Sequence, residues 1–201
     1  MKKLFLTLIA LLLMSAVSMA QVGTPSSPVS WYAGAALSLP TAPEGFTDGW
    51  KLGYHGMVGA GFNVAPKIQM IGKIEYHKFG TDGSSFGSNV EGGSLNTWMF
   101  GVDGKLNLGA PVVPVKPYAI GGLGIASVKI SEFTSTDSSL QASLNSGTGE
   151  SQSKVYFNFG GGVEFNLGPK TSWFVQARYV SISTDGSATS FIPLTLGLKF
   201  F

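Results

Sequence analysis

Cysteine is absent from the 201-residue sequence, so neither a disulfide framework nor a thiolate metal site can form. Charged residues make up only 12% of the chain, which is about half of their usual share. After the N-terminal segment, no stretch reaches the roughly 18 consecutive apolar residues that a transmembrane helix needs. The chain is therefore weakly charged, and no transmembrane helix is predicted after the N-terminal segment.

The first 20 residues have the three parts of a secretory signal peptide. A basic start, MKK, precedes an apolar run, LFLTLIALLLM, and the small-residue site SMA at 18–20. We expect residues 1–20 to be removed after Ala20, with export into the periplasm. The alternative, a membrane anchor, is disfavoured because the apolar run is too short to span a bilayer comfortably.

Basic residues are not in excess once this segment is removed. Loss of Lys2 and Lys3 reduces the 13 basic residues to 11, which equals the number of acidic residues. A formally neutral mature chain without a basic patch gives no indication of nucleic-acid binding.

After a polar linker over residues 21–29, apolar and polar residues alternate with a period of two, which is typical of β-strands. The segments TWMFGVDGKLNL (97–108) and YFNFGGGVEFNL (156–167) show the pattern well. In residues 116–130, Gly121 and Gly122 leave open which side chains share a face. The eight segments are 30–39, 51–64, 68–79, 97–108, 116–130, 156–167, 173–179 and 192–201.

The spacers between these segments alternate in length. Those around Pro66, Pro111 and Pro169 are short, whereas residues 40–50, 80–94, 131–153 and 182–190 form long polar spacers. Strands of about ten residues can cross a bilayer when tilted. The pattern predicts an all-β fold, an eight-stranded antiparallel up-and-down transmembrane β-barrel over residues 30–201, with four long loops at one end.

The same alternation fits a soluble, lipocalin-like barrel, and three features favour the membrane form. The apolar face is nearly free of charge, with only Lys78 on it, at a strand end. Aromatic residues near the strand ends predict two girdles. One comprises Trp31, Phe62, Tyr118, Phe165, Trp173 and Phe200, and the other Tyr54, Tyr76, Trp98, Phe157 and Tyr179. The polar face also carries charges that can pair inside a narrow lumen. This predicted lumen charge network comprises Lys73, Glu75, Asp103, Lys105, Glu164, Arg178 and Lys199.

The chain resembles a family through four segments: KPYAIGGLGIA (116–126), NFGGGVEFNLG (158–168), VQARY (175–179) and the terminal PLTLGLKF. These resemble the small eight-stranded outer-membrane β-barrel proteins, the OmpA-barrel and OmpX-like group also called the porin family. The resemblance implies the outer membrane of a Gram-negative bacterium, insertion by the barrel assembly machinery, and long loops that face outward. The expected surroundings are outer-membrane lipid and lipopolysaccharide.

The resemblance also implies that a terminal aromatic residue is the signal for assembly, here Phe200 and Phe201. Only Phe200 is in phase with Leu194, Leu196 and Leu198, which we expect to face lipid. The family's usual ending has its last residue in phase. We therefore expect Phe200 to carry the signal and Phe201 to lie one residue out of register.

The two histidines of the chain, His55 and His77, form a candidate metal site. If the turn centres on Pro66, they face each other across adjacent strands and point inward, with Glu75 on the same face. The alternative is a hydrogen-bonded pair within the lumen. No cofactor motif is present, because GGLG and GGG lie within strands and no helix follows them.

The function that the sequence favours is structural or based on surface interaction, with a host or envelope protein as partner of the loops and the barrel as a monomer. Two alternatives remain open. One is a lipid-modifying outer-membrane enzyme, although neither histidine is closely followed by a serine and no catalytic residue is indicated. The other is a narrow ion-conducting pore, although eight strands leave little bore.

Overall fold

The computed structural model describes residues 29–81, 90–109, 115–135, 141–142, 145, 148–168, 170–184 and 187–200. The predicted signal peptide, most of the predicted linker and Phe201 lie outside these residues. Val29, which was placed in the linker, is the first residue of a strand.

The described residues include ten strands, one short helix with defined bounds, and helical residues at 141–142 and 145. The strands are β1 (Val29–Ala42), β2 (Gly53–Ala65), β3 (Ile68–Gly80), β4 (Val90–Gly92), β5 (Ser94–Asn107), β6 (Val115–Ile130), β7 (Phe133–Ser135), β8 (Ser151–Asn166), β9 (Thr171–Thr184) and β10 (Ser187–Phe200). Helix α1 (Glu44–Gly49) follows β1. Among the described residues, no helix has the length and apolar character to cross a membrane.

Eight of the strands form a closed barrel in the order β1-β10-β9-β8-β6-β5-β3-β2. Every neighbouring pair is antiparallel, and β10 returns to β1 with Trp31 opposite Phe200 and Ala35 opposite Leu196. Closure leaves no strand edge with unpaired backbone groups. The predicted eight-stranded antiparallel up-and-down barrel is confirmed.

The outer face of the barrel is apolar and the inner face is largely polar. Large apolar side chains point away from the lumen on every barrel strand and are exposed, which is the reverse of a soluble protein. They include Trp31, Leu37, Val58, Ile74, Phe100, Leu123, Phe159, Val175 and Leu196. Such a surface requires an apolar surrounding such as the hydrocarbon of a bilayer.

Strand β6 corrects one member of the predicted girdles. Its alternation runs unbroken through both glycines, so Leu123 and Ile125 point outward while Tyr118 points into the lumen and is only 4% exposed. The Tyr118 hydroxyl donates to Gln176 Oε1 at 3.1 Å. Its ring lies over Gly162 of β8, where a Cβ would come within 2.6 Å of the hydroxyl. The assignment of Tyr118 to a girdle was therefore wrong.

The prediction of a long loop over residues 182–190 was also wrong. Strand β9 continues to Thr184 and β10 begins at Ser187. Hydroxyl groups join the two strands there: Tyr179 donates to Ser190 at 2.8 Å, and Ser190 donates to Ser181 at 3.3 Å. Polar side chains do not prevent strand pairing once cross-strand hydrogen bonds satisfy them.

We predict that Phe200→Ser impairs assembly, whereas deletion of Phe201 is tolerated. Phe200 ends β10, points outward with 41% exposure and lies opposite both Trp31 and Thr171. A serine there would remove the last apolar side chain of the strand that closes the barrel. The measurement is the fraction of heat-modifiable, folded barrel on unheated gels of membrane extracts. Equal losses in the two variants would show that the assumed register of the signal is wrong.

Candidate functional site: an ion-paired lumen

All seven charged side chains predicted for the lumen point inward and are buried. They come from five strands, and each occupies one of the alternate strand positions that face the lumen. The structure divides them into two groups along the barrel axis. A central group contains Lys73, Glu75, Asp103 and Arg178, and a group nearer the short turns contains Lys105, Glu164 and Lys199.

The central group pairs two cations with two carboxylates. Lys73 Nζ lies 3.0 Å from Glu75 Oε2 and 2.8 Å from Asp103 Oδ2. Arg178 binds both oxygens of Glu75, with Nη2 on Oε1 and with Nη1 donating to Oε2 at 3.3 Å. Asn158 Nδ2 donates to Asp103 Oδ1 at 2.9 Å. The bidentate contact between Arg178 and Glu75 is the strong form of an arginine–carboxylate contact.

The second group pairs two lysines with one carboxylate. Lys105 Nζ contacts Glu164 Oε2, and Lys199 Nζ lies 2.9 Å from Glu164 Oε1. Lys105 Nζ also sits 4.2 Å from the centre of the Tyr118 ring. The aromatic face adds a cation–π contact where the carboxylate alone does not balance both positive charges.

These side chains fill the lumen. Glu75 is 0% exposed and Arg178 is 1% exposed, although both lie at the centre of the barrel. A water-filled channel through this level would leave them accessible to solvent. The carboxylates and cations therefore act as a plug, and pairing offsets the high cost of removing each charge from water.

Glycines make room for the central group. A Cβ at Gly122 would collide with Asp103 Oδ1 and lie 2.7 Å from Asp103 Cα. A Cβ at Gly160 would lie 2.7 Å from Arg178 Cα. The inward glycines thus allow β6 to lie close to β5, which carries Asp103, and β8 to lie close to β9, which carries Arg178.

The two histidines lie next to the central group on the side of the long loops. His55 and His77 are paired residues of β2 and β3, and both are buried. Their rings stack with centroids 4.3 Å apart. Ser38 Oγ lies 3.2 Å from His55 Nδ1 and 3.1 Å from His77 Nδ1, so a single hydroxyl bridges the two rings.

This bridge determines which ring nitrogen of each histidine carries the proton. A hydroxyl has one proton, so Ser38 can donate to one Nδ1 and must accept an N–H from the other. Among the described residues His77 Nε2 has no hydrogen-bond partner, whereas His55 Nε2 lies 3.5 Å from Thr195 Oγ1. Protonation of His77 on Nδ1 and of His55 on Nε2 gives each of these N–H groups a partner, and we assign these tautomers.

The ligand atoms of His55, Glu75 and His77 all lie within 4.8 Å of one another, as a shared metal ion would require. Two features oppose a metal in this arrangement. The rings are stacked, with an interplanar angle of 28°, and the Ser38 hydroxyl already lies between their Nδ1 atoms. The Glu75 carboxylate is also already bound to Arg178 and Lys73. A metal site here stays a hypothesis, and the contacts describe a hydrogen-bonded pair.

Contact between a serine and a histidine is also a feature of hydrolases, in which the histidine activates the serine. Ser38 is 0% exposed and lies inside the barrel, with the Phe79 and Phe191 rings on the loop side of the neighbouring His77. A substrate in the membrane would meet the outer face of β1, not this hydroxyl. The arrangement therefore does not provide a route for catalysis on lipid.

Sequence reasoning found the charges and the facing histidines but not the bridging role of Ser38. Its position on the polar face of β1 was visible in the alternation. Its contact with both histidines depends on how β1 pairs with β2 and how far its side chain reaches toward β3. Only the register of three strands could have revealed it.

The closed eight-stranded barrel, the apolar exterior and the ion-paired lumen together define a membrane-spanning β-barrel protein. Residues 7–200 match the family described as outer membrane protein beta-barrel domain. The chain belongs to this family, and it is a protein of the bacterial outer membrane. A comparison with curated protein sequences gave no significant match.

Several solved structures are similar to the chain. Neisserial surface protein A shares 15% identity with a TM-score of 0.63, covering 87% of this chain and 97% of its own. Ail, the attachment invasion locus protein of Yersinia pestis, in complex with the heparin analogue sucrose octasulfate, shares 19% identity with a TM-score of 0.51 and coverages of 86% and 97%. A major outer membrane protein from Thermus thermophilus shares 10% identity with a TM-score of 0.52 and coverages of 87% and 99%. At these identities the likeness shows the fold alone.

We predict that Glu75→Gln lowers the free energy of unfolding by about 3–5 kcal/mol, because it leaves Arg178 buried without its bidentate partner. The double variant Glu75→Gln with Arg178→Gln should lose less than the two single variants together. The measurement is urea unfolding of the refolded barrel in detergent micelles. Lys67→Gln, at an exposed turn, is the control and should change little. Additive losses would contradict a coupled pair.

A second prediction separates the two hypotheses for the histidines. If they form only a hydrogen-bonded pair, the refolded barrel binds zinc no more tightly than the double variant His55→Ala with His77→Ala. We expect this result because the Ser38 hydroxyl already lies between the two Nδ1 atoms and Glu75 is bound to Arg178 and Lys73. The measurement is zinc titration by calorimetry. A site of micromolar affinity that the double variant lacks would favour the metal hypothesis instead.

Proposed function

We propose that the protein is a surface-interaction barrel of the outer membrane, in which the loop end faces outward and presents a folded platform to a host or envelope protein. The observation that carries this proposal is that the loops pack on one another. A preorganised surface loses less conformational entropy on binding than free loops do.

The second and third loops form a small sheet of their own above the barrel. Strands β4 and β7 pair with Glu91 opposite Thr134. The backbone continues the contact on either side: Gly93 N–H donates to the Glu132 carbonyl at 3.2 Å, and Ser131 N–H donates to the Ser94 carbonyl at 2.8 Å. The two loops are thereby held together by their backbones.

Phe133 and Asn145 fix the third loop on this sheet. The Asn145 amide accepts from Phe133 N–H at 2.8 Å and donates to the Phe133 carbonyl at 2.9 Å. The Phe133 ring is buried, and its centroid lies 6.5 Å from that of Trp50 in the first loop. A buried aromatic ring above the barrel gives the loop layer a core of its own.

The first loop is bound to both the barrel and the second loop. Phe46 of α1 inserts into the mouth of the barrel, where its ring packs 5.3 Å from that of Phe79. Trp50 pairs with Thr81, and Lys51 N–H donates to the Gly80 carbonyl at 2.8 Å. Three loops therefore form one connected platform, which we name by its core residues Trp50, Phe133 and Asn145.

The two alternative functions have less support. A pore requires an open lumen, and the central ion pairs fill it. A lipid-modifying enzyme requires its catalytic groups near lipid, and both histidines are buried inside. Adhesion agrees with the name of one structural neighbour, the attachment invasion locus protein of Yersinia pestis. That name describes the neighbour and only supports the proposal for this chain.

We further infer the route that such a protein takes. The signal peptide over residues 1–20 would direct export to the periplasm, and the terminal aromatic residues would be read by the barrel assembly machinery. The folded barrel would be a monomer surrounded by outer-membrane lipid and lipopolysaccharide. It would need no cofactor, because the platform acts by contact alone.

The proposal predicts that loosening the platform reduces adhesion while the barrel stays folded. Asn145→Ala removes two hydrogen bonds that hold the Phe133 backbone, and combination with Phe133→Ala removes the aromatic core. We expect bacteria that display the double variant to bind host-matrix proteins and survive serum several-fold less well than those with the wild type.

Two further variants complete this experiment. Deletion of residues 136–149 tests the third loop directly and should reduce adhesion at least as much. Lys67→Gln lies at the opposite end of the barrel and should have no effect. Heat-modifiability on gels reports folding of every variant. Full adhesion and serum survival with both altered platforms would overturn the proposed function.

A further inference from the structure

The outward face of the barrel is almost free of charge, with two exceptions. Among the outward positions of the eight described barrel strands, only Lys78 of β3 and Lys129 of β6 carry a charge. Neither forms an ion pair with a carboxylate of the described residues. Two cations without a carboxylate partner among the described residues, at the edge of an apolar surface, are costly unless water or an anion contacts them.

The two lysines lie at the same height on either side of one residue. Asn96 of β5 is opposite Lys78 on one side and opposite Lys129 on the other. Two strand spacings separate the lysine backbones, which corresponds to about 10 Å. A single headgroup with more than one negative charge can therefore reach both ammonium groups.

Asn96 organises the polar groups between the lysines. Its Oδ1 accepts from the Tyr76 hydroxyl at 2.8 Å, and its Nδ2 donates to Ser94 Oγ at 3.0 Å and to Ser131 Oγ at 2.9 Å. Next to Lys129, the hydroxyls of Ser127 of β6 and Ser151 of β8 lie 2.6 Å apart. The array of hydroxyl groups is held in place before any ligand arrives.

These residues line a groove of about 410 Å³ on the outer surface of the barrel. Its lower wall contains Trp98, which is half exposed and belongs to the girdle on the loop side. Below the tryptophan the same face becomes fully apolar, with Phe100 and Ile125 opposite each other. The groove thus lies where acyl chains end and headgroups begin.

We propose that this groove, which we call the Lys78–Lys129 groove, binds the phosphorylated sugar headgroup of an outer-leaflet glycolipid, the lipid A part of lipopolysaccharide. The lysines would hold its phosphates, and the array around Asn96 would hydrogen-bond its sugar hydroxyls and amides. The inference rests on the proposed function in one respect, because it requires the loop end to face outward.

Charge and shape favour this ligand over a simple phospholipid. Two cations and several fixed hydroxyl groups suit a headgroup that combines phosphates with a disaccharide, and the aromatic wall suits the flat face of a sugar ring. Lysines that only extend toward water would need no fixed array between them. Phosphate also remains charged beside an apolar wall, where each ammonium contact is stronger than in water.

The test is a titration of the refolded barrel in detergent micelles with lipid A, followed by native mass spectrometry. We expect wild-type barrel to bind lipid A, and the double variant Lys78→Gln with Lys129→Gln to bind it at least tenfold more weakly. Lys78→Arg with Lys129→Arg should retain most of the binding. Lys67→Gln with Lys170→Gln removes the same charge at the opposite end and should bind as the wild type does.

The choice of lipid separates the explanations. Dephosphorylated lipid A should bind the wild type as weakly as lipid A binds the double lysine variant. Equal binding with and without phosphates would overturn the proposal, as would undiminished lipid A binding by a folded double variant. Binding of phosphatidylglycerol as tight as that of lipid A would overturn the assignment to a glycolipid.

The result is independent of the proposed adhesion. The titration uses purified barrel and no protein partner, while adhesion is measured on bacteria. If the platform variants lose adhesion and retain lipid A binding, the result supports both proposals. Lipid A binding that fails in the wild type, together with adhesion that depends on the platform, would overturn only the groove.

Discussion

The pairing of β1 with β10 is the constraint on which the rest of the structure depends. In hydrocarbon every backbone N–H and C=O group needs a partner within the protein, and a sheet meets this requirement only when it closes. The last strand must therefore reach the first in register, as Trp31 does with Phe200. Once the sheet is closed, each side chain faces either the lipid or the lumen, and the period of two decides which.

Closure with eight strands makes the lumen so narrow that its contents must fit and neutralise one another. Glu75 and Asp103 are held by Lys73 and Arg178, and inward glycines give these groups the space that they occupy. The same closed interior leaves little space in the lumen for a conducted ion or a substrate. Our two proposals therefore place function on the two surfaces that remain, the loop platform and the outer wall.

Much of this could be predicted from the sequence because alternation is a local property. The eight strands, the inward charges and the pairing of His55 with His77 all follow from parity and one turn position. Tyr118 was misplaced because the glycines of β6 hide its parity, and Lys129 could not be assigned to the outer face for the same reason. The hairpin of β9 and β10 was missed because its polar residues resemble a loop, although cross-strand hydrogen bonds pair them.

The sequence by itself determined the architecture, since each strand records its two environments in its own alternation. Tertiary structure alone decided which distant residues meet: Ser38 between two histidines, Phe133 beside Trp50, and Asn96 between Lys78 and Lys129. The physical reason is that facing is set within one strand, whereas contact depends on the register of several strands and on the packing of loops. Those relations arise only when the barrel closes.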